Sequence, residues 1–246
     1  MYITPSIFNS GKIIAAQSTR EGGVSPAPYS SLNLGMSVKD DPGNVLKNRE
    51  LFFSALGIKQ EDVTKSHQVH GIKVLIVNGP VTTEGYDGLI SNRPGVFLAV
   101  SVADCTPVLI HDEKNNAVAA LHAGWRGTAG GIVTEAMNLM GTAYGTKGRD
   151  CKAFIGACIS HENFEVGEEV AAQFSNSVKT FQSLKGKWFI DLKGANRNLL
   201  IAAGVPEENI ETCGLCTVAD NDRFFSHRKE NGLTGRMMAV IGIRKT

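Results

Sequence analysis

Residues 96–131, VFLAVSVADCTPVLIHDEKNNAVAALHAGWRGTAGG, limit the fold more than any other stretch of the chain. Two apolar, β-branched runs flank the polar HDEKNN, the pattern of an antiparallel hairpin buried on both faces. A turn centred between Glu113 and Lys114 sets opposite each other residues whose numbers sum to 227, Cys105 and His122 among them. Opposed residues on one face have Cβ atoms about 4.5–5.5 Å apart, close enough to share a metal ion or a proton. A slip of one residue in either strand would send the two side chains to opposite faces.

The rest of the chain bounds what this hairpin can belong to. Its 246 residues with 42% hydrophobic content suit a single domain over residues 1–246 with a substantial core. Lys and Arg number 25 against 24 Asp and Glu, a net charge of +1 with no basic block, so neither nucleic acid nor an anionic membrane is expected as a partner. The N-terminal MYITPSIFNSGK lacks the basic and apolar segments of a signal peptide, and no apolar run reaches membrane-spanning length, which leads us to expect a cytoplasmic protein. Five cysteines without a small-scaffold spacing then read as free thiols or metal ligands. Oligomeric state is not legible.

In chain order, residues 13–19 (IIAAQST) read as an opening strand, followed by the glycine turn Arg20-Glu21-Gly22-Gly23 and a loop from Val24 to Gly35 that carries Asn33 between two leucines. Asp40 or Asp41 caps a helix with Pro42 in its first turn, and Gly57 closes it. Val45, Leu46, Phe52, Phe53 and Leu56 are expected on its apolar side. Residues 72–77 form a strand. His67 and His70 precede it at an odd spacing, so an extended backbone points only one of them into a common site. GYDGLISN (85–92) is a turn with a short strand. Beyond the hairpin, glycine-rich 124–131 is a loop leading to the helix IVTEAMNLM, able to present N–H groups to an anion. KAFIGACI, WFIDL and IETCGLC follow as strands, EEVAAQFSN and ANRNLLIAAG as helices, and a cation-bearing loop precedes a last strand. Alternating strands and helices give an α/β architecture with a mixed sheet.

Cys105 and His122 can be core residues, since free cysteine behaves as a small hydrophobe. With His70 they also form a thiolate and two imidazoles, a zinc set that leaves a fourth position for water. Cys213-Gly-Leu-Cys216 reads as buried thiols, because no second CxxC accompanies it. His67, His111, His161 and His227 read as surface or hydrogen-bonding residues, and Trp125 as packing. Arg20, Arg126 and Arg228 beside glycine turns or loops can be solvated, or can grip phosphate or carboxylate.

HQVHG (67–71), ADCTPVLI (103–110), HAGWRGT (122–128), GACIS…FEVGEEV (156–170), CT…FFSHR…TGR (216–236) and SLNLG (31–35) with DDPGNVLKNR together resemble the YfiH-type laccase-domain family. Its members are labelled polyphenol oxidase, purine nucleoside phosphorylase or peptidoglycan editing factor. The resemblance covers nearly the whole chain, and ADC followed by HAGWRG is its most specific part. It implies an α/β sandwich with mixed sheets, distantly similar to a group of cysteine hydrolases. It implies one zinc, preferred to copper, held by His70, Cys105 and His122, which are then also the catalytic group. Implied activities are phosphorolysis of adenosine, inosine, guanosine and methylthioadenosine, with purine nucleosides and phosphate as partners, plus adenosine deamination. Arg20, Arg126 and Arg228 are the candidate anion contacts, with Asn33 and Gln68 the polar candidates for ribose or base.

Multicopper laccase chemistry is excluded by counting, because its copper centres demand about ten histidines and this chain has six. Two other readings stay open. One is a metal-free cysteine hydrolase using Cys105 with His122 or His70, as in peptidoglycan precursor editing. The other is a non-enzymatic zinc-binding or partner-binding protein.

Overall fold

The structure is a computed structural model that describes residues 1–8 and 11–245. Its strands are β1 (Tyr2–Ile3), β2 (Ile13–Ser18), β3 (Val63–His67), β4 (Val74–Ile76), β5 (Thr82–Glu84), β6 (Gly88–Ser91), β7 (Phe97–Val102), β8 (Thr106–Asp112), β9 (Ala117–Ala123), β10 (Cys151–Ile155), β11 (Glu165–Val166), β12 (Lys179–Gln182), β13 (Lys187–Ile190), β14 (Ile210–Thr212) and β15 (Met237–Ile243). The helices are α1 (Pro42–Ala55), α2 (Trp125–Ala129), α3 (Ile132–Tyr144), α4 (Glu168–Ala171) and α5 (Leu192–Ala202). Two mixed six-stranded sheets, ordered β1-β2-β15-β7-β3-β5 and β14-β10-β8-β9-β6-β4, stand beside a small three-stranded sheet β11-β13-β12.

Strand periodicity explains the layers. In β7, Leu98 and Val100 join Leu109, Val118, Ala120 and Phe154 between the two large sheets. Phe97 and Ala99 point the other way, onto Phe52 and Phe53 of α1. In β9, Ala119 and Leu121 pack against Ile132, Val133, Ala136 and Met140 of α3. Each central strand is therefore buried on both faces, which is why the hairpin sequence is apolar without alternation.

α1 has Asp41 as its cap, the side chain accepting from the Asn44 N–H, with Pro42 in the first turn. Leu46 departs from its expected place: it is 47% exposed, while Arg49, on the side of Val45, Phe52 and Phe53, is buried. The hairpin forms, but its pairs are Thr106 with Ala123 and Asp112 with Ala117, so numbers sum to 229. Four residues, 113–116, fill the loop because Asp112 Oδ1 accepts from the N–H groups of Lys114 and Asn115. His122 then faces Pro107, and Cys105 lies just before β8. A shift of two keeps every face assignment.

Three further expectations are corrected. The glycine-rich 124–131 is not a loop: residues 125–129 wind into α2. The segment EEVAAQFSN holds only the four helical residues of α4. Finally, His67 ends β3, whereas His70 has φ +60, so the parity of an extended chain does not relate the two.

Candidate active site

His70, Cys105 and His122 meet at one end of the two large sheets, their donor atoms all within 4.8 Å of one another. His122 is the next-to-last residue of β9, on the inter-sheet face with Val118 and Ala120. Cys105 lies on the β7–β8 connection, and His70 on the β3–β4 connection. Asp104, with φ +81, makes the bend that brings Cys105 inward. Gly124 leaves room for the trio, since a Cβ there would lie 3.0 Å from Cys105 Sγ and 3.3 Å from His70 Cδ2.

Asp87, fully buried at the start of β6, holds the group together. Its carboxylate accepts from the N–H groups of Val69 (3.1 Å), His70 (2.9 Å) and Gly71 (2.8 Å), and pairs with His122 Nδ1 at 2.7 Å. Nδ1 is thereby occupied, and Nε2 is left as the free donor of His122. Burial alone would raise the Asp87 carboxyl, but hydrogen bonds from His122 and from the Gly71 and Val69 N–H groups hold it below its usual range. Burial also opposes charge on the other two residues and is outweighed. The His122 charge, with hydrogen bonds from His122 and His70, brings Cys105 down to about 6. The Cys105 charge and the Asp87 hydrogen bond bring His122 up to about 9. Without a metal both shifts favour the charged forms, thiolate beside imidazolium.

This donor set fits a metal ion. A tetrahedral zinc with bonds of 2.0–2.3 Å needs donors about 3.3–3.8 Å apart, so donors within 4.8 Å of one another have to close by at most about 1.5 Å. A ready thiolate, two imidazoles and a carboxylate fixing one imidazole through its second nitrogen are the usual surroundings of such an ion.

The trio opens into a cavity of about 680 Å³, a size suited to a small organic ligand. Gln68 and Arg228 line it; Arg20, Asn33 and Arg126 do not. Arg20 is tied to Glu230 at 3.1 Å and to the carbonyls of Ser30 and Asn221, so it staples two loops. Arg126 is exposed and stacks on Trp125, its guanidinium carbon 4.3 Å from the ring centroid. Asn33 is fully buried and accepts from the N–H groups of Gly35 and Arg236, which places those two lining residues. Gln68 reaches the cavity with its amide engaged at both ends by the Ser101 backbone. The Arg228 guanidinium donates to the carbonyls of Asn163 and Glu165, and its backbone N–H donates to Asp104 Oδ2.

The sequence reading missed Asp87, Asp104, Arg49, Lys65 and Arg236. Asp104 accepts from Thr217 Oγ1 and the Arg228 N–H, joining the ADC, CT and SHR segments. A signal existed for Asp87 and Arg49: a carboxylate leading into the short strand of GYDGLISN, and a lone cation in the apolar stripe of α1.

Comparison with known proteins places this geometry. The sequence profile of the family described as multi-copper polyphenol oxidoreductase laccase matches residues 14–244. A purine nucleoside phosphorylase of Deinococcus radiodurans is 42% identical over 93% of this chain and 88% of its own. The purine nucleoside phosphorylase YfiH of Escherichia coli is 37% identical over 93% of each. The crystal structure of YlmD from Geobacillus stearothermophilus superposes with a TM-score of 0.94 at 33% identity, over 99% of this chain and 96% of that one.

Proposed function

Because the chain belongs to the laccase-like family of YfiH and YlmD, we propose that it is a zinc-dependent purine nucleoside phosphorylase. The observation that carries the reading is the convergence of His70, Cys105 and His122 on one cavity, oriented by a shared Asp87. The activity in the names of the relatives supplies the reaction class.

In that reaction a phosphate oxygen forms a bond to ribose C1′ as the C1′–N9 bond breaks. The products are a free purine and ribose 1-phosphate, with a proton delivered to the departing base. The transition state is cationic at the ribose, so the protein has to hold the phosphate dianion beneath C1′ and keep water away. His70, Cys105 and His122 would hold the zinc, which would supply Lewis acidity in the cavity when bound. Asp87 keeps His122 in one tautomer, and Gln68 fixes the His70 loop to β7. A thiolate with two imidazoles suits zinc, and a copper cluster of the laccase kind would need histidines the chain lacks. The proposed substrates are adenosine, inosine, guanosine and methylthioadenosine. Deamination of adenosine, in which water adds at purine C6 and ammonia leaves, is a second activity of the same cavity.

Inosine incubated with the protein should release hypoxanthine only when phosphate is present, and His122→Ala should abolish the release. Release without phosphate would make the protein a hydrolase instead. Metal analysis of protein purified without metal-affinity chromatography should find about one zinc per chain, lost in Cys105→Ala.

A second reading is favoured by one observation, the nearness of Cys105 Sγ to the His122 ring nitrogen. As a metal-free cysteine hydrolase, the protein would lose activity to iodoacetamide and keep it in a chelator. The zinc reading expects a chelator to inhibit.

A further inference from the structure

The cavity carries a second cluster of functional groups besides the sulfur and imidazoles. Arg49 from α1, Lys65 from β3 and Arg236 from the segment before β15 all line it. Their placement follows from the sheets. Lys65 pairs with Ala99 and Met238 with Ser101, so these residues continue the sheet face that lies under α1. Arg49 descends onto this face from the helix, 9% exposed, with only its Nε committed among the described residues, to the Leu34 carbonyl. Arg236 gives Nη1 to the carbonyls of Thr234 and Gly235. Lys65 Nζ has neither a hydrogen-bond acceptor nor an acidic partner among the described residues.

Asp104 is the one carboxylate lining the cavity among the described residues, and both of its oxygens are taken, by Thr217 and the Arg228 N–H. Removing cations from water without a counter-charge is costly. Here burial, with the charge of Arg49, brings Lys65 down to about 8, and burial lowers Arg49 and Arg236 as well. The fold nevertheless builds the cluster with care. Asn33 fixes the Arg236 backbone, and Gly35 lets the arginine stem cross it, since a Cβ there would lie 2.6 Å from Arg236 Cγ. Three desolvated cations with spare donors facing one cavity have the chemistry of a dianion site.

We infer that Arg49, Lys65 and Arg236 form the subsite for inorganic phosphate, in the same cavity as the trio and on the ribose side of a bound nucleoside. This rests on the phosphorolysis proposed above and replaces Arg20, Arg126 and Arg228 as the phosphate contacts. Two guanidinium forks and an ammonium supply directional and mobile donors, enough to hold a dianion while one oxygen stays free to attack. The charge of Arg236 also reaches Cys105, so the phosphate and metal ends adjoin.

Titration calorimetry with inorganic phosphate, on metal-loaded protein at fixed ionic strength, tests the assignment without turnover. Lys65→Met and Arg49→Lys should each weaken phosphate binding by about tenfold or more, a loss usual for a charge-assisted contact. They should raise the KM for phosphate to match and leave the KM for inosine within about twofold. Arg126→Ala should change neither. Melting curves and zinc content identify any variant that has lost its fold, and Arg236→Lys provides a third probe of the same cluster. Unchanged phosphate binding in folded Lys65→Met and Arg49→Lys would overturn the inference. So would binding of inosine 5′-monophosphate in the absence of any binding of inorganic phosphate, because the cluster would then hold a nucleotide's phosphate. Phosphate binding that depends on these residues, with no cleavage of any nucleoside, would keep the subsite and sink the phosphorylase reading.

Discussion

At the scale of single residues, Asp87 and Gly124 govern the trio more than their chemistry suggests. Asp87→Asn keeps the shape but loses the charge that holds His122 in one tautomer, and zinc affinity should fall about 10–100-fold, read by competition with a chromophoric chelator. Gly124→Ala sets a methyl group 3.0 Å from Cys105 Sγ. It should cut zinc content and turnover sharply while the melting temperature of the metal-free protein stays close to wild type. In that metal-free protein the two shifts respond to pH in opposite directions. Cys105 lies below its ordinary value, so its contribution to stability is lost as pH falls through about 6. His122 lies above its own, so its contribution is lost as pH rises through about 9. The Cys105 contribution grows from about pH 6 to 9 while the His122 contribution shrinks from about 6.5 to 9, so the wild-type melting temperature should be nearly flat across that window. Cys105→Ser, left with His122 held up by Asp87 alone, should instead melt lower as pH rises. Residues of the trio were visible in the sequence as chemistry-bearing types near strand ends. Asp104 and Arg236 were not, because what they do depends on segments more than a hundred residues away.

At the scale of elements, the central hairpin was legible from its composition, and α1 from its cap, its proline and Gly57. The register was not. Whether two or four residues close a hairpin depends on side-chain hydrogen bonds such as those of Asp112, which apolar periodicity does not contain. Asp112→Ala leaves two loop N–H groups without their acceptor and should cost about 1–2 kcal/mol in a denaturant titration, with turnover retained in the folded fraction. The helix in the glycine-rich 124–131 was hidden for a related reason. Glycines there signal close approach to neighbours, as at Gly127, where a Cβ would meet the Gly71 carbonyl at 3.0 Å, and not an irregular backbone. The third sheet was only partly visible, since β11 holds two residues and β12 alternates poorly.

At the scale of the whole molecule, the layered architecture followed from strands that are apolar on both faces, but the order of strands within each sheet did not. The cores between the sheets and under α1 and α3 are built without the trio. Cys105→Ala should accordingly still melt cooperatively, at a cost on the order of 1 kcal/mol beyond the lost metal, while inosine turnover falls by orders of magnitude. The trio's position in the chain carries one more consequence. His70 lies between β3 and β4, and Cys105 between β7 and β8; each connection leaves one large sheet and enters the other. A metal ion bound there is a rivet through two crossings at the same rim, and the slabs it joins lose their freedom to slide past one another. Stripping it should speed amide hydrogen exchange at those two crossings first, with the distant hairpin loop at 113–116 unchanged.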